Sequence, residues 1–255
     1  MLQAVTTLLL PQRRSNMALT IESGVTVQGG ITVGNVPIPV PQYSYRFQGT
    51  GNGTSYLAMS PGITIGTSDF TIEGWFRSTN VNQQLGLWGD GATGALQIYM
   101  DNGGSGSAAN GFQVNYQGAG QISYATATLV SNTWYYFALV RSSNSESLYL
   151  NGTRATPGAY TDTNNYSGGT TAFGNNYKGS WQGYIYNWRV SNTARYSPAS
   201  ATITVPTAPL TTDANTLVFF DGTFLTGLDA SGHQTITQGG SGTAVSLSST
   251  VVPTL

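Results

Sequence analysis

Apolar and polar residues alternate along this chain in short runs separated by Gly, Asn and Ser, and the densest apolar run is Thr133-Trp134-Tyr135-Tyr136-Phe137-Ala138-Leu139-Val140-Arg141. The run is apolar at odd and even positions alike, so a strand here predicts apolar cover on both faces and hence two stacked sheets. After a Ser/Asn-rich turn, Leu148-Tyr149-Leu150 closes on Asn151-Gly152, a pair that turns hairpins. Similar short runs fall near residues 43–47, 56–59, 70–76, 95–100, 111–116, 183–190 and 216–220, and Phe70, Ile72 and Phe76 share one face. No window of useful length has helical periodicity. The pattern predicts an all-β fold, a two-sheet antiparallel β-sandwich.

Residues 1–42 have a different texture. Ile21, Val25 and Val27 alternate with Glu22, Gly24 and Thr26, Gln28-Gly29-Gly30 turns the chain into Ile31-Thr32-Val33, and Pro37-Ile38-Pro39-Val40-Pro41 predicts an extended, semi-rigid linker. The apolar start through Leu8, Leu9 and Leu10 is too short to cross a bilayer, and Arg13 and Arg14 follow it rather than precede it as in a signal peptide. Two short strands cannot make a core alone. The segment is therefore expected to be an assembly arm, docking through Leu8, Leu9, Leu10, Ile21, Val25, Val27, Ile31 and Val33, with an edge ribbon on its own domain as the alternative. This divides the chain into an arm over 1–42 and a sandwich domain over 43–255. Whether 241–255 completes the sandwich or forms a second arm stays open.

Charge narrows the function. Only 7% of residues are charged and the formal net charge is -1, so there is no basic footprint for nucleic acid and no acidic tail. The absence of Cys excludes disulfides and thiolate metal sites. The single histidine, His233, sits in the turn Asp229-Ala230-Ser231-Gly232-His233, which leaves no partner for a histidine metal cluster or a serine triad. Asp69 and Glu73 share one strand face, but at roughly 13 Å apart they exceed both glycosidase spacings. Gly89-Asp90-Gly91-Ala92-Thr93-Gly94 matches a dinucleotide-binding pattern by letter, without the helix that such a site requires. The chain is expected not to be an enzyme. Its candidate binding residues are aromatic: Trp88, Tyr99, Tyr116, Tyr177 and Trp181 are positioned to stack on sugar rings beside Asn and Gln. Trp134, Tyr136 and Trp188 fall in the densest strands and are assigned to the core.

Five segments in order carry a resemblance. Tyr43-Ser44-Tyr45-Arg46-Phe47, Ser68-Asp69-Phe70-Thr71-Ile72-Glu73-Gly74-Trp75-Phe76, Thr133 to Arg141, Leu148 to Gly152, and Gly183-Tyr184-Ile185-Tyr186-Asn187-Trp188-Arg189-Val190 resemble successive strands of the concanavalin A-like jelly-roll superfamily, in its laminin-G/pentraxin-like branch. The resemblance implies a jelly roll over about 43–220 and glycan recognition. It also makes calcium conceivable at loop rims, with Asp90 and Asp101 as candidate oxygen ligands; no other cofactor is expected. The Glu-x-Asp-x-x-Glu cluster of the β-glucan-cleaving members is absent. A second segment, Arg189-Val190-Ser191-Asn192-Thr193-Ala194-Arg195-Tyr196-Ser197-Pro198 continuing to Leu210, is similar to one found in virion proteins of tailed bacteriophages. That similarity implies a non-enzymatic structural protein of the virion, displayed on capsid or tail. It would be a homo-oligomer docked to other virion proteins, possessing no membrane insertion and no nucleic-acid partner, and touching host-surface glycans. The alternative is a bacterial or secreted carbohydrate-binding module.

Overall fold

The computed structural model describes residues 32–33, 36–37, 42–89, 93–101, 111–116, 120–176 and 178–255. The chain divides into two units, Met1–Val40 and Pro41–Leu255. In the first, Thr32–Val33 pairs antiparallel with Val36–Pro37. Val33 lies in that ribbon, whereas Leu8, Leu9, Leu10, Ile21, Val25, Val27 and Ile31 lie outside the described residues, as do Asp90 and Tyr177.

The second unit is the predicted all-β sandwich. Among the described residues its first sheet has nine strands, running Thr153–Arg154, Ser145–Leu150, Tyr135–Ser142, Phe70–Ser78, Gln182–Ser191, Ser44–Gln48 and Ser246–Ser248, with Tyr160–Thr161 on Ser145–Leu150 and Thr216–Phe220 on Gln182–Ser191. The second has eight: Gly227–Leu228, Thr235–Gly239, Tyr56–Ile63, Thr170–Phe173, Leu85–Trp88, Leu96–Asp101, Gly111–Tyr116 and Gly120–Ala125. Among the described residues the neighbouring strands pair antiparallel, as hairpins and longer antiparallel returns demand. The C-terminal segment completes the sandwich: Ser246–Ser248 pairs with Ser44–Gln48, Val245 is buried, and the Ser44 hydroxyl donates to the Val251 carbonyl at 2.6 Å.

The Tyr135–Ser142 strand is apolar on both faces for two different reasons. Phe137 and Leu139 point into the core between the sheets, where Phe137 stacks on Trp188 at 5.5 Å. Tyr136, Ala138 and Val140 point the other way, into a second cluster with Trp75, Tyr149, Tyr186, Leu210 and Phe219. This outer cluster is covered by the chain between residues 192 and 210, which contributes Ala194, Tyr196, Ile203, Val205 and Leu210. Stacked sheets thus account for one face, and a strap accounts for the other. The hairpin after Leu150 is a two-residue turn in which Asn151 and Gly152 have φ of 47° and 79°, the pairing that a type I′ turn requires.

A bulge lets one strand serve both cores. Along Gln182–Ser191, Tyr186 pairs with Trp75 and Arg189 with Glu73, so Asn187 and Trp188 together face Gly74. Trp188 thereby turns inward while Tyr186 and Arg189 face outward. Gly74 makes this possible: its φ is 156°, and a Cβ there would lie 2.8 Å from the Trp188 ring.

Candidate functional site

Three arrangements deserve comparison as sites, and two of them are closed. Beneath the strap, the fully buried Glu73 carboxylate accepts from the Tyr136 hydroxyl at 2.5 Å, the Tyr196 hydroxyl at 2.8 Å, and Arg189 through Nε at 3.0 Å and Nη2 at 2.5 Å. Arg195 lies 3.6 Å from the same carboxylate and bonds Asp213 with both Nη groups, at 2.9 and 2.8 Å. Burial and the neighbouring Glu73 charge push the Tyr136 and Tyr196 hydroxyls up, so both stay protonated donors. Asp69 is engaged elsewhere, accepting from the Ser142 hydroxyl and the Ser143 amide. The two acids considered for hydrolysis are thus separately committed to holding the fold.

The second closed arrangement surrounds Arg141, which is 1% exposed and bonds Asp162 at 3.0 Å as well as the carbonyls of Gly66, Ser68 and Asn164. Tyr166 donates to Asp162 at 3.1 Å, and Tyr124 donates to the buried Glu146 at 2.9 Å. Burial, reinforced by the Asp162 charge, holds the Glu146 carboxyl well above the usual carboxylate range. These groups bond chiefly to one another inside the sandwich, while Glu146 meets Tyr124 through Oε1 and its Oε2 has no hydrogen-bond partner among the described residues.

The open arrangement is a cavity of about 460 Å³ at the edge shared by the two sheets. The Ala125 and Thr156 backbones exchange hydrogen bonds at 2.9 and 3.0 Å, tying the last strand of the eight-stranded sheet to the loop after Thr153–Arg154. Leu150, Tyr135, Ala125 and Ala155 supply apolar surface; Thr126, Asn151, Thr153, Arg154 and Thr156 supply polar groups. Arg154 is fixed by its Nη1, which donates to the carbonyls of Pro198 and Ala199 at 3.1 and 2.8 Å. An apolar lining with a few fixed polar groups is the usual composition of a small-ligand site. It suits a sugar ring, whose C–H face needs apolar contact and whose hydroxyls need donors and acceptors.

The aromatic residues expected to stack on sugars are mostly elsewhere. Trp88, Tyr99 and Trp181 are 0, 1 and 0% exposed, which corrects their assignment as stacking platforms, because a ring enclosed by protein has no face to offer. Trp181 packs edge-on against Phe76 at 5.7 Å, Trp88 against Phe173 at 6.3 Å, and the Tyr99 hydroxyl donates to Gln113 at 3.1 Å. Tyr116 is half-buried and packs edge-on against Tyr166 at 5.6 Å. Of the three aromatics assigned to the core, Tyr136 and Trp188 are buried and Trp134 is only half-buried. Alternation hid this distinction, since an aromatic on the second face of a strand is buried or bare according to what lies over it.

Asp101 does not fit a calcium ligand as placed. It is 1% exposed, and its two oxygens accept from the side-chain amides of Gln84, at 3.2 Å, and Gln113. A cation would have to displace both donors. Among the described residues no three His, Cys, Asp or Glu side chains come together. His233 lies in the expected turn, where the buried Asp229 carboxylate accepts from the amides of Phe219, Ser231, His233 and Gln234.

Residues 50–199 match the concanavalin A-like lectin/glucanases superfamily, in its laminin G type, and the chain belongs to that family. Among solved structures it is similar to a proposed carbohydrate-binding protein of Bacteroides ovatus, at 16% identity and TM-score 0.59 over 83% of this chain. The chain spans 60% of that protein's length. It is also similar to the heptameric SAP-like pentraxin of Limulus polyphemus, at 14% identity and TM-score 0.50, covering 64% of this chain and 81% of the pentraxin. At these identities the likeness establishes the shared fold. No curated protein sequence matches the chain.

Proposed function

We propose that the chain is a non-catalytic carbohydrate-binding module whose ligand seats in the cavity between Ala125–Ala127 and Leu150–Thr156. The observation that carries this reading is the cavity itself: about 460 Å³, with apolar walls and a threonine, asparagine and arginine rim, in a domain of the concanavalin A-like lectin/glucanases superfamily. Of the two acids considered for hydrolysis, Glu73 is buried under the strap, and half-buried Asp69 accepts from Ser142 and Ser143 instead. The test is a glycan array followed by calorimetry on the array's best ligand. Ala127 is exposed and lines the cavity, so Ala127→Trp fills it without disturbing the core and is expected to weaken binding by about tenfold or more. Unchanged affinity in that variant would remove the cavity from the reading.

A second reading concerns where the module is displayed. The scarcity of charge and the separate grouping of Met1–Val40 support a virion structural protein, docked through its N-terminal unit to neighbouring capsid or tail subunits and presenting the sandwich outward. Particles assembled with a chain lacking residues 1–40 are expected to lose the protein. Retention at wild-type occupancy would leave the module reading without the virion.

A further inference from the structure

The strap leaves part of the outer face of the nine-stranded sheet open, and there the register builds a row. Tyr184 pairs with Arg46 on one side and with Arg77 on the other. Trp134 extends the row: it precedes Tyr135, the partner of Phe76, and packs edge-on against Tyr186 at 6.5 Å. Tyr45, Phe47, Phe76, Tyr135 and Ile185 on the same strands point into the core, so alternation turns Arg46, Tyr184, Arg77 and Trp134 outward. Arg46 is exposed and the other three are half-buried.

The row is held in place. Arg77 donates from Nε to the Asn132 carbonyl at 2.8 Å, and its guanidinium carbon lies 5.4 Å from the centre of the Tyr184 ring. Neither Arg46 nor Arg77 has a carboxylate within ion-pair distance among the described residues, whereas Arg141, Arg189 and Arg195 all do. Beside the row runs a groove of about 220 Å³ that Arg46, Gln48, Thr79, Gln182 and Tyr184 help to line. Its wall continues into a chain of amides, Asn80 to Gln182 at 3.4 Å and Gln182 to Gln83 at 3.0 Å.

Each part selects a chemistry. Unpaired guanidiniums favour planar or tetrahedral anions that can take two N–H groups at once. Tyr184 and Trp134 present apolar faces with polar tips, and the amides match hydroxyls. Two inter-strand steps separate the backbones of Arg46 and Arg77 by about 10 Å, too far for one small anion to bridge with ease and close to the length of a disaccharide. We propose that this row is a second binding site, taking a linear acidic polysaccharide laid across the strands, with anionic substituents on Arg46 and Arg77 and a sugar ring on Tyr184 between them. The proposal stands on the row alone and does not need the cavity.

The test uses the full chain and four probes: polygalacturonate, heparin, dextran, and single-stranded DNA. The first two separate carboxylate from sulfate as the anionic group, dextran is the neutral control, and DNA is a polyanion whose charges are not borne on a sugar-acid chain. Expected results are binding of at least one acidic polysaccharide, weakened as NaCl rises from about 50 to about 300 mM, and a loss of about tenfold or more in Arg46→Gln/Arg77→Gln. Melting temperature of the double variant checks that it folds. Equal affinity of the double variant for the acidic polymers would overturn the proposal. So would binding of dextran or DNA through the row as tightly as the polysaccharides.

Discussion

Two arginine–aromatic constellations occupy the outer face of one sheet and share the strands Phe70–Ser78 and Gln182–Ser191. In the closed one, Arg189 and Arg195 meet Glu73, Tyr136 and Tyr196 under the 192–210 strap. In the open one, Arg46 and Arg77 flank Tyr184 with Trp134 beyond, with no carboxylate at ion-pair distance among the described residues and with Arg46 exposed. The side-chain types are nearly the same. What differs is a single buried carboxylate and a length of chain to exclude water around it. With both, arginine and tyrosine spend their donors on the protein; with neither, the donors remain for a ligand.

The difference should be largest in stability. Glu73→Gln removes the charge that Arg189 faces in a buried setting, and breaking such a pair costs about 3 to 5 kcal/mol. Urea unfolding should show that loss, with the strap loosening first because Tyr196 and Arg195 both reach Glu73. Arg77→Gln, four residues further along the same strand, should stay within about 0.5 kcal/mol of wild type because the residue has no buried partner. Similar losses in both variants would erase the distinction between closed and open.

Much of the closed half was legible from the chain itself. The apolar run from Trp134 to Val140 demanded two covers, and Asn151-Gly152 placed the hairpin, because period and turn chemistry are local properties. The identity of the second cover was not legible: the 192–210 segment has no strand pattern, and only the fold brings Tyr196 and Leu210 over Tyr136. The same limit explains Trp88, Tyr99 and Trp181, which neighbouring Asn and Gln residues suggested were open and packing closed. The cavity rim and the Arg46–Tyr184–Arg77 row share it too, since both are assembled by pairing between residues far apart in sequence. Arg46 did show in the alternation of Tyr45 and Phe47, as the polar position between two core residues, but its neighbours across the strands did not.

The network around Arg141 extends the comparison to pH, with a smaller expected effect. Glu146 is buried against Tyr124, Tyr166, Asp162 and Arg141, and its carboxyl is raised chiefly by desolvation. The folded state therefore holds this proton more tightly than the unfolded state. Stability from it is complete below the ordinary glutamate range, near pH 4, and is lost as pH rises through the raised folded value. The wild-type urea midpoint should fall across that interval, while Glu146→Gln, with no proton to lose, should stay level and be the more stable protein at high pH. A wild-type midpoint that rises over the same interval would mean that Glu146 is ionised in the fold and paired with Arg141.

The smallest effect lies where closed meets open. Asp213 is held below the usual carboxylate range mainly by its hydrogen bonds from Arg195, the opposite sense to Glu146, so its contribution is present at neutral pH and is lost as pH falls through the acid range. Yet its side chain is 45% exposed, and water and salt screen it. Asp213→Asn should therefore cost only about 0.5 kcal/mol at neutral pH, and less in high salt, although the pair is bidentate. Arg195 has a second acid at 3.6 Å in Glu73, so the same substitution made on a Glu73→Gln background should cost more than it does alone. Equal costs on the two backgrounds would show that Arg195 belongs to the surface and that the buried cluster ends at Arg189.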